Sequence, residues 1–398
     1  MKRAREVKQQ KRVESLQSRL RNQGGDLLMY DYVADGVVAQ VYGLRLEASA
    51  TDEELSQYLE FSNISQLSLA HSHVTDSSME IVSQFEDLLE LDLRDTAVTD
   101  AGLRTIAERH SHFQILDLSE TDVTPAGIAR FLKTTAVHRL VLEGLSLTDR
   151  DIALLPVKQV EELVLLDNPI TDAGLKHLTG LDGLELGSNL ISGTGLSQLR
   201  VGSSIGFNGI TMTDKDFAVF LKSNPSLSSI KLHNTTLTDV SLQELAKYPS
   251  LTSLELGDGN FSDGGLALSG ISSVNELKLV GGQFTCRCFA SWNPPLWRLQ
   301  LRGSSVQDDA LSFISQLTLL QSLDLSNTQV SDRGILDLSG QELYEINISG
   351  TPITARGLQR SSLRSYVHII AGLEQFSAEE LNQLQGRFQV DPGGTPQY

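Results

Sequence analysis

Three groups of side chains in this 398-residue sequence have types and spacings that could do chemistry. Cys286 and Cys288 are its two cysteines, one residue apart. A structural zinc site takes about four ligands, and no second cysteine pair is present to complete one. A redox pair is the chemical alternative to two small buried fillers. His71 and His73 are matched by His110 and His112. The first pair leaves a strand end and the second follows a helix, which puts them on opposite sides of the fold, so no joint metal site is expected. Asp76, Asp100, Asp149, Asp172, Asp214, Asp239, Asp263, Asp308 and Asp332 form a third group. Calcium loops crowd several oxygens into about 12 residues. These aspartates instead recur about once per turn of a longer pattern, which makes them helix-start residues. The sequence contains no G-x-S-x-G, no phosphate-binding glycine loop and no H-E-x-x-H. It reads as a non-enzyme with no cofactor and no metal.

The elements that position these residues come from one repeated stretch. Its cleanest copy is LDLRDTAVTDAGL at 91–103, and the frame returns at 163–175, 230–242, 254–266 and 323–335. With the first apolar residue of each L-x-L as a marker, copies begin at Leu44, Leu67, Leu91, Leu116, Leu140, Leu163, Leu184 and Ile205. They continue at Ile230, Leu254, Leu277, Leu299, Leu323, Ile346 and Val367, with a mean step of about 23 residues. In L-x-L two apolar side chains point one way and the middle residue the other, the period of a strand. A small polar slot follows (Thr96, Thr121, Asn168, Asn189, Thr235, Thr328, Thr351), able to satisfy turn backbone groups. Thr-Asp or Ser-Asp then opens a helix, with the hydroxyl as N-cap. An aspartate such as Asp172 is expected to add a dipole contribution of about 1 kcal/mol or less.

This frame resembles the ribonuclease-inhibitor-like leucine-rich repeats, and in particular the T-D-x-G-L type of bacterial leucine-rich-repeat proteins. Gly24-Gly25 followed by Met29-Tyr30-Asp31-Tyr32 also resembles the lead-in of such arrays. The resemblance implies an α/β leucine-rich-repeat solenoid, a horseshoe with a concave parallel sheet and short convex helices. It also implies a recognition surface for partners.

Domain organisation follows from composition along the chain. Residues 1–25 hold eight basic residues against Glu6 and Glu14, a balance of +6 that leaves −24 on the remainder of a chain whose net charge is −18. Val13, Leu16 and Leu20 sit at helical spacing, so this segment reads as a basic amphipathic helix. It serves as a cap, with contact between residues 1–22 and an anionic membrane surface as the alternative. Residues 26–43 read as a strand-rich cap, 44–388 as an array of about 15 repeats, and 389–398 as a loose tail. The acidic balance argues against nucleic acid as a partner. Two cysteines and no apolar leader favour a reducing, cytoplasmic setting, with the inner face of a membrane as the alternative.

Function is then sought on the outward strand positions. Asp92, Asp117, Val141, Val164 and Glu185 occupy one slot in five consecutive repeats, and Glu90, Glu143, Glu162 and Leu166 flank them. This row is expected to bind a basic, partly apolar protein segment, with exposed Val and Leu as an apolar floor. The expected role is a protein-interaction scaffold. A structural spacer at the cell envelope, held by the basic segment, and a substrate-receptor adaptor of a larger complex are the other readings.

Overall fold

A computed structural model describes residues 20, 25–34, 37–46, 50–59, 63–187, 190–281, 284–338, 341–372 and 374–392. Apart from Leu20 and Gly25, the basic N-terminal segment and the surface expected of residues 1–22 lie outside them. Contacts divide the chain into two units, residues 1–190 with 199–201, and 191–198 with 202–398.

The first unit opens with an antiparallel hairpin of β1 (Asp26–Ala34) and β2 (Val37–Arg45). Parallel strands then add in chain order: β3 (Ile64–Ser68), β4 (Glu90–Asp92), β5 (His112–Asp117), β6 (Ala136–Val141), β7 (Val160–Leu166) and β8 (Gly183–Gly187). The marker residues Leu44, Leu67, Leu91, Leu116, Leu140, Leu163 and Leu184 are successive partners. The second unit contains β9 (Ser204–Asn208), β10 (Ser229–His233), β11 (Ser253–Leu256), β12 (Glu276–Leu279), β13 (Arg298–Gln300), β14 (Ser322–Asp324), β15 (Glu345–Asn347), β16 (His368–Ala371) and β17 (Gln389–Pro392), all parallel. A capped helix follows most strands, and the L-x-L side chains are buried throughout. Each unit is an α/β solenoid of stacked repeats, a fold in which each repeat buries its apolar face on its neighbours.

The far end of the array corrects two expectations. Ile346 pairs with Ile369, not Val367, and Ile369 pairs with Val390. The stretch 389–392, expected as loose, is therefore a strand. It contains no L-x-L, but Phe388 and Val390 are buried and backbone pairing completes it.

The polar slot behaves as its chemistry requires. The hydroxyls of Thr96, Thr121, Thr328 and Thr351 each donate to the carbonyl three residues back, at 2.6–2.7 Å. Asn168 donates to Leu142 O and Leu166 O and accepts from Leu147 N.

The Thr-Asp-x-Gly run does more than cap one helix. Thr75, Thr99, Thr171, Thr238 and Ser331 are N-caps, as expected. The aspartate, however, reaches forward into the next repeat. Asp76 accepts from Thr99 N and Oγ1 at 2.8 and 2.7 Å, Asp239 from Ser262 N and Oγ at 2.9 and 2.6 Å, and Asp332 from Thr354 N and Oγ1 at 2.7 Å each. The fourth residue of the receiving run lies against that same carboxylate. A Cβ at Gly102, Gly127, Gly265 or Gly357 would sit 2.5, 1.9, 2.0 or 2.1 Å from the aspartate's Oδ1. Glycine is thus required for space at these sites. The alternative is a side chain that bonds the carboxylate, as Ser241 does to Asp214 at 2.5 Å and Ser78 to Asp52.

At three junctions where the aspartate is missing, the receiving repeat supplies its own acid at the glycine position. Pro125, Gly193 and Ala355 stand in the aspartate slot. The next repeats carry Asp151, Asp216 and Glu380, which close capping boxes with Thr148, Thr213 and Ser377. The expected dipole role of the aspartates is therefore corrected to a hydrogen-bonded lock between repeats. The physical reason is that a carboxylate one helix away reaches amide donors that the receiving helix cannot satisfy internally.

Candidate partner-binding face

On the first unit the expected slot is in register: Asp92 pairs with Asp117, Asp117 with Val141, Val141 with Val164, and Val164 with Glu185. The neighbouring row runs Glu90, Ile115, Arg139, Glu162, Gly183. Glu162 lies over Gly183, where a Cβ would meet its Cγ at 2.9 Å.

Two arginines sit among these carboxylates. Arg94 Nη2 is 3.3 Å from Asp117 Oδ2 and 3.1 Å from Glu143 Oε2. Arg139 is 2.8 Å from Glu162 and 2.9 Å from Glu185. Sequence reading passed over both, although strand parity marks them, since 90, 92 and 94 share a face, as do 139, 141 and 143. The carboxylates therefore do not simply repel one another. Glu90 forms no ion pair among the described residues. Asp92 accepts from Ser68 Oγ and Arg94 N, without a cation in ion-pair contact. Burial pushes the Asp92 carboxyl above its ordinary range, and the charge of Asp117 adds to that, against the lowering bonds.

The expected apolar floor is corrected. Val141 is 9% exposed and Val164 3%, while Leu166 is half-buried. Strands about 4.8 Å apart leave a β-branched side chain little open surface between long charged neighbours.

The second unit presents a different face. Lys278 Nζ and His233 Nε2 lie 2.8 and 3.0 Å from Glu255 Oε1, and the His233 ring lies across Gly257. A depression of about 350 Å³ is lined by Glu255, Glu276, Lys278, Arg298, Arg302 and Asp324 together with uncharged neighbours. Its cations and anions balance, so it favours no single ligand charge. Burial would raise the Glu255 carboxyl, but the His233 and Lys278 hydrogen bonds and charges outweigh it and hold it at about 2. A depressed carboxyl stabilises the fold above its unfolded value near 4.5 and loses that contribution as pH falls toward 2. With 15% of the side chain exposed, the stake is on the order of 3 kcal/mol. Acid unfolding of Glu255→Gln should show a shallower loss of stability between pH 4.5 and 2 than the parent; parallel curves would remove Glu255 from the acid limb.

The remaining sequence candidates are dispersed. Cys286 and Cys288 are free and buried, and burial pushes both thiols far up. His71 pairs with Asp95 at 3.0 Å, while His110 is buried beside Phe113, with its imidazolium disfavoured by burial. Among the described residues no three His, Cys, Asp or Glu side chains are grouped to hold a metal ion. No described helix is long and apolar enough to cross a membrane.

Comparison with known proteins agrees with the repeat geometry. The family profile described as Leucine Rich repeat matches residues 87–107 and 316–339. Podocan of Mus musculus is 24% identical over 215 residues, covering 52% of this chain. The chain spans about a third of that relative's length, with 31% covered. Among solved structures, an internalin from Listeria monocytogenes is 19% identical with TM-score 0.35, covering 87% of this chain and 91% of its own. The TLR13–ssRNA13 complex is 16% identical with TM-score 0.44, covering 80% and 54%. The mouse RP105/MD-1 complex is 14% identical with TM-score 0.42, covering 88% and 76%. A repeat of about 23 residues, built as one parallel strand and a capped helix and matched by that profile in two of its turns, is the leucine-rich-repeat solenoid fold.

Proposed function

We propose that the protein is a non-enzymatic interaction scaffold and that the open sheet face of its first unit holds a basic segment of a protein partner. The fold is consistent with scaffolding, since stacked strands present a continuous, rigid surface. One observation supports the choice of face. Six carboxylates (Glu90, Asp92, Asp117, Glu143, Glu162, Glu185) stand in adjacent rows against two arginines, a balance of −4. Four of the six are held by Arg94 and Arg139. The partner's cations are therefore received mainly at Glu90 and Asp92, with the half-buried Leu166 as the apolar contact. Charge of this kind sets association rate and register more than affinity.

The test removes these two carboxylates without inserting cations. Glu90→Gln with Asp92→Asn should reduce partner capture from lysate at least fivefold, and raising salt should weaken what remains. Glu86→Gln with Asp87→Asn makes the same charge change at an exposed turn and should leave capture intact. Equal capture by parent, face variant and control would reduce the row to a solvated surface.

A further inference from the structure

Every junction between consecutive repeats on the helix side needs something to satisfy the first amides of the receiving helix, and one junction in the second unit lacks it. Cys286 occupies the aspartate slot, so no carboxylate reaches forward. The receiving helix, Asp308–Ile314, has Gln307 as N-cap with no side-chain hydrogen bond. The position that carries Asp151, Asp216 or Glu380 at the other aspartate-free junctions is here Ala310, which is fully buried. This junction has neither the lock nor its substitute.

The segment before the junction is tied firmly backward. Thr285 N and Oγ1 donate to Asp263 at 2.8 and 2.9 Å, Cys288 N donates to it at 3.3 Å, and Trp292 Nε1 donates to Ile271 O at 2.6 Å. Phe289 stacks on Trp292, with ring centroids 5.7 Å apart. Forward, the side-chain polar tie between this segment and the next helix, among the described residues, is Arg287 to Asp309 at 3.2 Å, with the side chains 67% and 59% exposed. A pair so exposed contributes little. Cys286 adds local strain as a non-glycine residue at φ 62°, a left-handed conformation that L residues disfavour. In place of an α-helix the repeat has only the 3-10 turn Arg287–Ala290.

We propose that the second unit opens locally at this junction, with Asp308–Ile314 separating from Arg287–Ala290, and that Cys286 and Cys288 form a gated thiol site, closed to electrophiles in the packed array and reached by small disulfides or soft electrophiles through that opening. Both thiols are buried, Cys288 within the turn Arg287–Ala290 and Cys286 at its N-cap, and they are the chain's two cysteines. A thiolate released by opening attacks the disulfide sulfur of the reagent. One mixed disulfide forms and one reagent thiolate leaves.

The experiment labels the full chain with 5,5′-dithiobis(2-nitrobenzoate) under native conditions and follows the released thionitrobenzoate. Labelling should proceed at a rate nearly independent of low urea, the signature of an opening that exposes little surface. Gln307→Thr restores an N-cap hydroxyl and should slow labelling about fivefold, the factor expected of one cap. Asp214→Ala cuts the lock that receives Thr238 N, Thr238 Oγ1 and Ser241 Oγ. It should lower the unfolding midpoint while leaving the native labelling rate within twofold. Labelling that appears only with global unfolding, that rises with Asp214→Ala in step with the midpoint, or that ignores Gln307→Thr would overturn the proposal.

Discussion

Leu325→Ala should lower the stability of the second unit by about 2–5 kcal/mol, seen as a fall in the denaturant midpoint with little change in slope. Leu325 is fully buried next to β14, its amide donates to Asn347 O at 2.8 Å, and its carbonyl accepts the Thr328 hydroxyl. Truncation therefore leaves a cavity beside a backbone that hydrogen bonds to its own repeat and the next hold in place, and such a site collapses poorly. Leu336 lies on a helix of the same repeat and is 38% exposed, so Leu336→Ala should cost well under about 1 kcal/mol. Equal losses would mean that the L-x-L positions do not carry the core. In a solenoid the loss is transmitted to neighbours through the interfaces, so a transition that broadens instead of shifting would place the second unit's cooperativity below two-state.

The burial of Leu325 is readable from the sequence, because strand parity separates inward from outward positions and needs only apolar residues two apart. Leu91 to Leu184 and Ile205 to Ile346 all fall where the markers put them. Parity fails where the repeat thins. In SYVHII, both Val367 and Ile369 are apolar and both are buried, so the pattern could not choose between them. Only pairing with Ile346 decides for Ile369.

The face was half legible for a different reason. A row of like slots can be read from spacing, and Asp92, Asp117, Val141, Val164 and Glu185 are in register. Exposure cannot be read that way, because the burial of Val141 and Val164 depends on adjoining strands that lie 20 or more residues away in sequence. Pairing by Arg94 reaches Glu143, 49 residues on, and no single-repeat pattern contains that distance.

The lock was the least legible feature, although every residue of it recurs in plain view. Within one repeat, Thr-Asp-x-Gly reads as a cap followed by a helix weakened by glycine, since Gly costs about 1 kcal/mol relative to Ala inside a helix. Its meaning appears only when one repeat's aspartate is set against the next repeat's glycine. The covariation is internal to this chain: glycine or a hydroxyl stands at Gly102, Gly265, Ser78 and Ser241 opposite Asp76, Asp239, Asp52 and Asp214. An acid stands there opposite Pro125, Gly193 and Ala355, which lack the carboxylate, though not opposite Cys286.

That geometry reverses the sign of a substitution usually counted as stabilising. Gly265→Ala should lower stability by about 2 kcal/mol instead of adding the ~1 kcal/mol that helix propensity predicts. The new Cβ would lie 2.0 Å from Asp239 Oδ1 and 2.1 Å from its Cγ. Asp239 cannot withdraw freely, because its two oxygens hold Ser262 N at 2.9 Å and Ser262 Oγ at 2.6 Å. Moving it leaves an N-terminal amide of the next helix without a partner, a loss of about 1–3 kcal/mol. Asp239→Ala alone should therefore cost about 2 kcal/mol, twice or more the contribution of a simple dipole. The decisive measurement is the double-mutant cycle. Once Asp239 is Ala, the space beside Gly265 is empty, and adding Gly265→Ala should be neutral or gain up to about 1 kcal/mol. The coupling, about 2 kcal/mol or more, then reports a shared volume between two repeats. Costs that simply add would show that Asp239 and Gly265 act separately, and the lock would have to be abandoned in favour of independent caps.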